Sequence, residues 1–479
     1  MSIINLIFHN FSKNKFTSKF KLKLVTKTQL LILMNYYKKR TYMKKRLLSV
    51  AAAAFFGLSL NAQKIAFEEY QLPNGLHVIL HQDNTAPVVT TGVMYHVGAK
   101  DEAVGRTGFA HFFEHLLFEG TKNIKRGDWF KIVSANGGTN NANTTNDRTY
   151  YYETFPSNNE QLGLWMEAER MKSGTINQVG VDTQREVVKE EKRLRMDNQP
   201  YGNLFTYVQN NLFTKHPYHW STIGSMDDLN SAKLQEFLDF YKKYYIPNNA
   251  VLVVAGDIKP EQTKKWIQEY YGSIPKGEIT AKNFPKDEPI TQTKEVTAYD
   301  KNISLPAYVF AYRTPGAKEK EAYTLDMIST YLSGGKSSVL YKKLVDQEKK
   351  ALEVAAFNQG LEDYGIFAFF AIPMGATTKE VLEKDIDAEI TKLQTTLISD
   401  EDYQKLLNQF ENNFVNSNSS IQGIAHSLAH NYMLMGDTKL INKELDIYRS
   451  ITKEDIRNAA KKYLSPNQRV ELNYLPEKK

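Results

Sequence analysis

The chain contains no cysteine among its 479 residues. This absence excludes disulfide bonds, a zinc site built from thiolates and a lipid anchor on a cysteine. Any metal ion must therefore be held by histidine, aspartate or glutamate side chains.

Acidic residues are absent from the first 62 positions, which contain twelve Lys and Arg residues. The formal net charge of +7 comes from this segment, because the other 49 basic residues face 54 acidic ones. A slightly acidic body gives no electrostatic basis for binding DNA or RNA. We therefore expect no nucleic-acid partner.

The chain also lacks an apolar run that is long enough to span a bilayer comfortably. The stretch Leu47 to Leu60 follows the basic segment Met43 to Arg46 and ends near Ala62, an order typical of a secretory signal peptide. We expect a non-structural leader over residues 1–62, with the true start at Met43 and a signal peptide over 43–62. The mature protein is then periplasmic or secreted, without a stable membrane span after cleavage; an uncleaved anchor is the alternative.

Two similar segments indicate an internal duplication. Tyr241–Val251 and Ala460–Val470 each read as a helix stopped at Pro-Asn or Ser-Pro-Asn and followed by a strand. The Lys, Pro, Asp and Thr content of residues 273–289 favours a linker. We predict an N-terminal domain over 63–280 and a homologous C-terminal domain over 281–479.

Strand and helix signals alternate within the first half. The stretches Leu76–Leu80 and Val88–Val97 have the β-branched content of strands and resemble a hairpin or meander. Helical signals follow at Gly108–Leu117, Glu160–Met171 and Thr183–Met196. The predicted fold class is α+β.

The segment His111-Phe112-Phe113-Glu114-His115 carries the clearest chemistry. On a helix, His111 and His115 project from one face and can hold one ion, while Glu114 can take a proton from water on that ion. Chance placement gives roughly 0.02 copies of this spacing in the chain. The pattern predicts a zinc site with Glu114 as general base; helix packing or capping by the histidines is the alternative.

A zinc ion needs a third protein ligand, and the segment Gln184 to Leu194 offers candidates. On a helix, Glu191 falls within the apolar stripe, where a charge is costly unless a cation meets it. Glu186 and Glu190 lie nearer the polar flank and read as solvated charges.

The chain resembles the inverted-motif zinc peptidases, which include pitrilysin, insulin-degrading enzyme and mitochondrial processing peptidase. The resemblance covers nearly all of Gln63–Lys479 and rests on Gly108–Thr121, Arg185–Arg193 and Tyr244–Asp257. It implies two tandem homologous domains, each a mixed, mostly antiparallel sheet with helices on one side, enclosing a cleft. It also implies one Zn²⁺ on the first domain, with Glu191 as the third ligand.

The same resemblance implies that Gly137–Thr145 is an edge strand beside the metal, where a peptide substrate pairs with Asn141 and Ala142. By composition alone this Gly/Asn/Thr run reads as a loop. The implied activity is that of an endopeptidase for oligopeptides or unfolded segments. A homodimer or a heterodimer with a related subunit is expected, and a non-catalytic or partner-dependent subunit is the alternative.

Four features depart from this pattern or stand outside it. Gln184 occupies the position where several relatives have a glutamate, and no arginine and tyrosine of the second half can be assigned beside the scissile bond. Ser333–Ser338 resembles a phosphate loop but has Thr330 where that motif requires glycine. His426 and His430 are spaced like metal ligands without an acidic partner, so they are a second, weaker candidate site.

Overall fold

The computed structural model describes residues 64–279 and 281–477. The predicted leader and signal peptide lie outside these residues and stay predictions. Across the described ranges, no helix is both long enough and apolar enough to cross a membrane.

The first half of the described chain builds a six-stranded sheet, with the strand order β1-β2-β6-β3-β5-β4. Strands β2 and β6 are parallel, and every other neighbouring pair is antiparallel. The strands are β1 (Glu68–Gln71), β2 (His77–Gln82), β3 (Val88–Tyr95), β4 (Thr139–Thr144), β5 (Thr149–Pro156) and β6 (Ala250–Gly256).

The second half builds a five-stranded sheet with the order β7-β11-β8-β10-β9, in which only the β7–β11 pair is parallel. The strands are β7 (Lys294–Asp300), β8 (Ala307–Pro315), β9 (Ala351–Gly360), β10 (Tyr364–Pro373) and β11 (Arg469–Pro476). Strands β2 to β6 of the first sheet follow the same order and the same directions. This repeat confirms two tandem homologous units of class α+β.

Helices connect and cover the strands. Those of the first half are α1 (Phe109–Leu116), α2 (Trp129–Ala135), α3 (Glu160–Ser173), α4 (Gln178–Lys192), α5 (Leu204–Leu212), α6 (Met226–Ser231), α7 (Leu234–Tyr244) and α8 (Pro260–Tyr271). Those of the second half are α9 (Lys320–Ser333), α10 (Lys379–Thr395), α11 (Asp400–Ser417), α12 (Ile421–His430), α13 (Glu444–Ser450) and α14 (Lys453–Tyr463). Wider π-helical turns occur at Arg193–Asp197, Tyr341–Gln347 and Asn431–Met435, and 3₁₀ turns at Ala99–Asp101, Ser157–Asn159, Pro217–His219, Pro247–Asn249, Thr438–Asn442 and Pro466–Gln468.

The duplicated segments have the expected form, since α7 leads through a turn at Pro247 into β6, and α14 leads through Pro466 into β11. Residues 275–279 and 281–293 contain neither helix nor strand, as expected of a linker. The domain limits themselves, 63–280 and 281–479, stay a prediction.

The expected hairpin between the first two strand segments is wrong. Strand β6 lies between β2 and β3, pairing with β2 in parallel and with β3 in antiparallel fashion. The long chain segment that returns as β6 carries five consecutive buried apolar residues, Val251 to Ala255, and such a strand belongs at the centre of a sheet. Local turn chemistry between β2 and β3 cannot reveal that insertion.

Each sheet has helices of its own half on one face, as the resemblance implies, and its other face is covered by a helix of the other half. One face of the first sheet packs on α1, α3, α7 and α8, and Leu252, Val254 and Phe112 belong to the same buried apolar cluster. Its other face packs on α12 of the second half, where Val251 and Val253 meet helical side chains. The apolar residues of β6 do not alternate with polar ones, so neither face of that strand can remain in water.

The second sheet is covered in the same way, with the covering helix supplied by the first half. One of its faces packs on α9, α10 and α14 of its own half. Its other face packs on α5 of the first half, where Leu204, Val208 and Leu212 meet Val309 and Ile366. A helix of each half therefore completes the core of the other half, and the two sheets cannot be buried independently.

A buried ion cluster lies where the two halves meet. The ammonium group of Lys100, only 1% exposed, lies 3.0 Å from a carboxylate oxygen of Asp147 and 2.7 Å from oxygens of Glu362 and Asp363. Burial lowers the pKa of Lys100, but these carboxylates outweigh burial and raise it above its ordinary value. The cluster joins the β4–β5 turn of the first half to the β9–β10 turn of the second, because the Glu362 amide also donates to Asp147.

Replacement of Lys100 by methionine tests this cluster. Lys100→Met leaves three carboxylates at the interface without their cation, and we expect folding to lose about 3–5 kcal/mol. Urea unfolding measures the loss as a lower midpoint. Lys318→Met is the matched control, because Lys318 is half exposed at 4.0 Å from Glu362 and contributes at most about 1 kcal/mol. Equal midpoints for the two variants would contradict the role of the cluster.

Candidate metal centre

Helix α1 begins at a turn that only glycine fits. Gly108 has φ +91°, and a Cβ there would lie 2.6 Å from the carbonyl oxygen of Ile223. The buried carboxylate of Glu102 accepts hydrogen bonds from the amides of Gly108 and Ala110 at 2.9 and 2.8 Å. It thereby satisfies amide donors that a helix start leaves without partners.

The far end of α1 is held by a buried arginine. Arg170 donates from Nη1 to the carbonyl oxygen of Leu117 at 2.7 Å, and its guanidinium lies against the rings of Trp129 and Tyr151. The apolar side chains of α1 are buried in the core of the first half. With both ends and one face fixed, the remaining face presents His111 and His115.

Helix α4 brings Glu191 to this face, and its N-terminus is capped by the side chain of Asn177, which accepts from the amide of Gly180. Oxygen Oε2 of Glu191 lies 3.0 Å from Nε2 of His115 and 3.5 Å from Nε2 of His111. The planes of the two imidazole rings are nearly perpendicular. These three residues, far apart in the sequence, converge on one point.

The spacing of the three donor atoms suits one zinc ion. Zinc ligands lie about 2.0–2.2 Å from the ion, so two donors at tetrahedral positions lie roughly 3.3 Å apart. Over residues 64–279 and 281–477, His111, His115 and Glu191 are the one group of three or more such side chains with donor atoms close enough to share an ion. The two imidazoles and one carboxylate also fit the ligand types that zinc accepts without thiolates.

The protonation states of the donors fit as well. Burial, followed by the electrostatic effect of the neighbouring His115 imidazole, lowers the pKa of His111 to about 4. A hydrogen bond from His115 lowers the pKa of Glu191. At neutral pH His111 is therefore neutral and Glu191 is ionised, the forms that bind metal ions.

Glu114 lies beside the donors, where burial raises the pKa of its carboxyl above the ordinary value. The hydroxyl of Thr144 donates to Oε2 of Glu114 at 2.7 Å and opposes that shift. A glutamate with a raised pKa suits proton transfer near neutral pH. The contact also joins Glu114 to strand β4.

Asn141 and Ala142 lie in β4, so the interpretation as a loop is wrong. Six residues, Thr139 to Thr144, pair with β5, and β4 is the last strand of its sheet. Ala142 is buried on the side of α1, while the side chain of Asn141 accepts from the amide of Ala142 at 2.9 Å. The run lacks β-branched residues apart from threonine, so its pairing is set by its neighbours.

Three residues that support the centre were not identified from the sequence: Glu102, Thr144 and Arg195. Arg195 lies one helical turn beyond Glu191, and its Nη1 is 2.9 Å from Oε1 of Glu191. Gln184, noted as a departure, donates from Nε2 to Glu119 at 2.5 Å and so ties α4 to the segment after α1. Only the i,i+4 spacing of Glu191 and Arg195 is visible in the sequence.

His426 and His430 do not belong to a metal-holding group among the described residues. They lie on α12 and line a cavity of about 720 Å³ between the two halves. The glycine-rich segment at Ser333 ends α9, and Gly334 donates to the carbonyl oxygen of Thr330. That segment forms a helix end.

Two family models match the chain. The model described as "Insulinase (Peptidase family M16)" matches residues 77–225 and so includes the metal centre. The model described as "Peptidase M16 inactive domain" matches residues 231–410.

Several named proteins and solved structures are similar to this chain over most of their length. "Zinc protease PqqE" of Helicobacter pylori is 31% identical over 431 residues, covering 88% of this chain and 97% of that protein. "Probable mitochondrial-processing peptidase subunit beta, mitochondrial" of Arabidopsis thaliana is 24% identical, covering 76% of this chain and 70% of its own length. The crystal structure of a protease from Helicobacter pylori superposes with a TM-score of 0.80 at 30% identity, covering 85% of this chain and 99% of that one.

The contact between Gln184 and Glu119 can be tested by exchanging charges. Gln184→Glu places two carboxylates together, and we expect about 1–3 kcal/mol of destabilisation at neutral pH. The mutual repulsion raises the pKa of the pair, so the loss grows as pH rises and disappears when one group is protonated. Thermal unfolding across pH measures it.

The double variant Gln184→Glu, Glu119→Gln restores one amide and one carboxylate in reversed positions. We expect it to recover most of the lost stability. Additive losses in the double variant would show that the contact does not hold α4.

Proposed function

This chain belongs to the insulinase family, peptidase family M16, and from that premise we propose that it is a zinc-dependent endopeptidase. The observation that carries the proposal is the approach of the Glu191 carboxylate to within 3.5 Å of both His111 and His115, beside Glu114. We assign the three residues as ligands of one Zn²⁺, within a catalytic domain over residues 63–280. The homologous domain over 281–479 holds no metal in this proposal.

A bound zinc ion supplies Lewis-acid chemistry, lowering the pKa of a water molecule and polarising the peptide carbonyl. Glu114 would accept a proton from the attacking water at its carboxylate and would afterwards deliver a proton to the leaving amine. Thr144 holds Oε2 of Glu114, so the second oxygen is the one that exchanges protons. The buried surroundings of α1 strengthen these electrostatic interactions.

The substrate in this proposal is an oligopeptide or an unfolded segment. A peptide pairs with the edge strand β4 at Asn141 and Ala142, and its main chain is thereby recognised with little regard to sequence. Thr144 places the base next to that strand, which brings a bound peptide bond to the metal centre. A folded domain offers no extended segment for such pairing.

A partner-dependent subunit is the second candidate. The second half matches a model described as an inactive domain, and one relative is named as a subunit of a processing peptidase. In this candidate the chain forms a homodimer or a heterodimer with a related subunit. Activity that appears only after mixing with a second chain would favour it over the self-sufficient enzyme.

Export is also part of the proposal, with cleavage of a signal peptide after residue 62. A structural neighbour at 19% identity is described as the periplasmic protease PqqL of Escherichia coli. N-terminal sequencing of the native protein tests this placement, and residues before Gln63 would contradict it.

Zinc content tests the ligand assignment. We expect the unaltered protein to bind about one zinc ion per chain. We expect Glu191→Gln to lower the affinity for zinc by about tenfold or more, because a neutral amide replaces a charged ligand. Elemental analysis after dialysis against a chelator series measures the loss. The matched control is Glu190→Gln, since Glu190 is half exposed and pairs with Arg193. Equal zinc loss from both variants would contradict the assignment.

Glu114→Gln separates chemistry from metal binding. We expect retained zinc and a kcat on a quenched peptide that is lower by about 10²–10⁴, the usual contribution of a general base. Residual activity equal to that of the unaltered protein would show that Glu114 is not the base.

The pH profile tests the contact between Thr144 and Glu114. The hydroxyl of Thr144 lowers the pKa of Glu114, so Thr144→Val raises it. The ionised carboxylate is the active form, and the acidic limb of kcat/KM therefore moves to higher pH. Thr139→Val, at an exposed position of the same strand, is the control and leaves the limb in place. An unmoved limb in Thr144→Val would contradict the contact.

A further inference from the structure

The two faces of strand β4 lead to different places. Ala142 and Thr144 face α1 and the metal centre, as their contacts with the core and with Glu114 show. Asn143 faces the opposite way and lines the cavity between the halves, together with Tyr150, its partner across the β4–β5 pair. Because successive side chains of a strand alternate, a peptide added to β4 sends every second side chain towards that cavity.

Arg148 lies beside this cavity wall without an ion-pair partner. It directly precedes β5 and stands two residues before Tyr150, so in an extended chain the two side chains point to the same face. The residue is 7% exposed. Its Nη1 donates to the side chain of Asn143 and to its carbonyl oxygen, the latter at 2.8 Å, while Nε is buried without a partner in the described part of the chain. No carboxylate of the described residues forms an ion pair with it, and those of Glu114 and Asp147 act on its charge only from a greater distance. A buried guanidinium in this state favours an incoming anion.

Two imidazoles from the other half face the same region. His426 and His430 are one turn apart on α12, with ring centroids separated by 5.9 Å, and the ring of His426 lies 5.5 Å from that of Tyr150. Burial, followed by the charge of Arg148, lowers the pKa of each to about 4. Both are neutral at pH 7, and neither has a hydrogen-bond partner among residues 64–279 and 281–477, so each has an N–H to offer.

The far wall of the cavity has the opposite character. Asp326 and Glu444 line it, and burial raises the pKa of both carboxyls, to about 6 for Asp326. Asp326 is already satisfied by Asn358 and Tyr448. An anion therefore prefers the end at Arg148.

We propose that Arg148, His426, His430 and Asn143 form a subsite for a carboxylate of the substrate peptide, either an acidic side chain or the C-terminus. This inference rests on the proposed function, in which a peptide lies along β4. The subsite exists only when both halves are assembled, because β4 and Arg148 come from one half and the imidazoles from the other. The subsite gives the protein a preference for a negatively charged group, whereas pairing with β4 recognises only the main chain of the peptide.

Binding measured by fluorescence anisotropy to the zinc-loaded Glu114→Gln protein tests the subsite without hydrolysis. The probes are labelled peptides that differ only by Glu or Gln at one position, moved along the sequence, and a pair ending in carboxylate or amide. We expect Glu to bind about tenfold more tightly than Gln at alternate positions only. A preference limited to the terminal carboxylate would identify the C-terminus as the anion.

Variants decide which residues create the preference. Arg148→Met removes the cation, and we expect the Glu-to-Gln ratio to fall to about one, with Arg148→Lys retaining part of it. His426→Gln with His430→Gln is expected to reduce the ratio by about threefold or more. His219→Gln, outside the cavity, is the control. If Arg148 only braces Asn143 in β4, its loss weakens both peptides equally and the ratio is unchanged.

Equal affinity for Glu and Gln at every position, or a ratio that survives Arg148→Met, would overturn the subsite. Hydrolysis by the unaltered protein is measured separately on the same peptides. Cleavage without any charge preference would support the proposed peptidase activity and contradict the subsite. A charge preference in binding without cleavage would support the subsite and contradict the proposed peptidase activity.

Discussion

The approach of one carboxylate to two imidazoles is the constraint on which the rest of the structure depends. Glu191 reaches His111 and His115 only if α1 and α4 are held in a fixed relation. Glu102 holds the start of α1 and Arg170 its end, and Gln184 ties α4 to the segment that follows α1. All three contacts are buried or partly buried polar contacts, so loss of one partner leaves an unsatisfied group and a displaced helix.

The exchange of helices between the halves makes the core of each half depend on the other half. Helix α12 covers the face of the first sheet that lies opposite α1, and α5 does the same for the second sheet. The ion cluster around Lys100 joins two hairpin turns that occupy equivalent positions in the repeat. A half of the chain on its own would expose an apolar sheet face, which is unfavourable in water.

Strand β4 connects these two constraints. On one face Thr144 contacts the proposed base, and on the other Asn143 is held by Arg148 at the cavity that both halves line. An edge strand with chemistry on one face and a polar cavity on the other can position a peptide and select among its side chains at once. The duplication supplies this geometry, because the second half contributes a wall of the cavity and the first half contributes the candidate metal centre.

The sequence by itself determined the class of fold and the repeat, and it predicted which residues form the candidate metal centre. The i,i+4 spacing of His111 and His115 and the helical periodicity around Glu191 are local properties of the chain, and helices obey local rules. The insertion of β6 between β2 and β3 and the covering of each sheet by the other half were decided by the tertiary structure. Their causes are contacts between distant segments, such as Val251 with α12. The hydrophobic effect is non-directional, so an apolar strand face does not specify which distant segment will cover it. Only the folded chain shows which segments pack together.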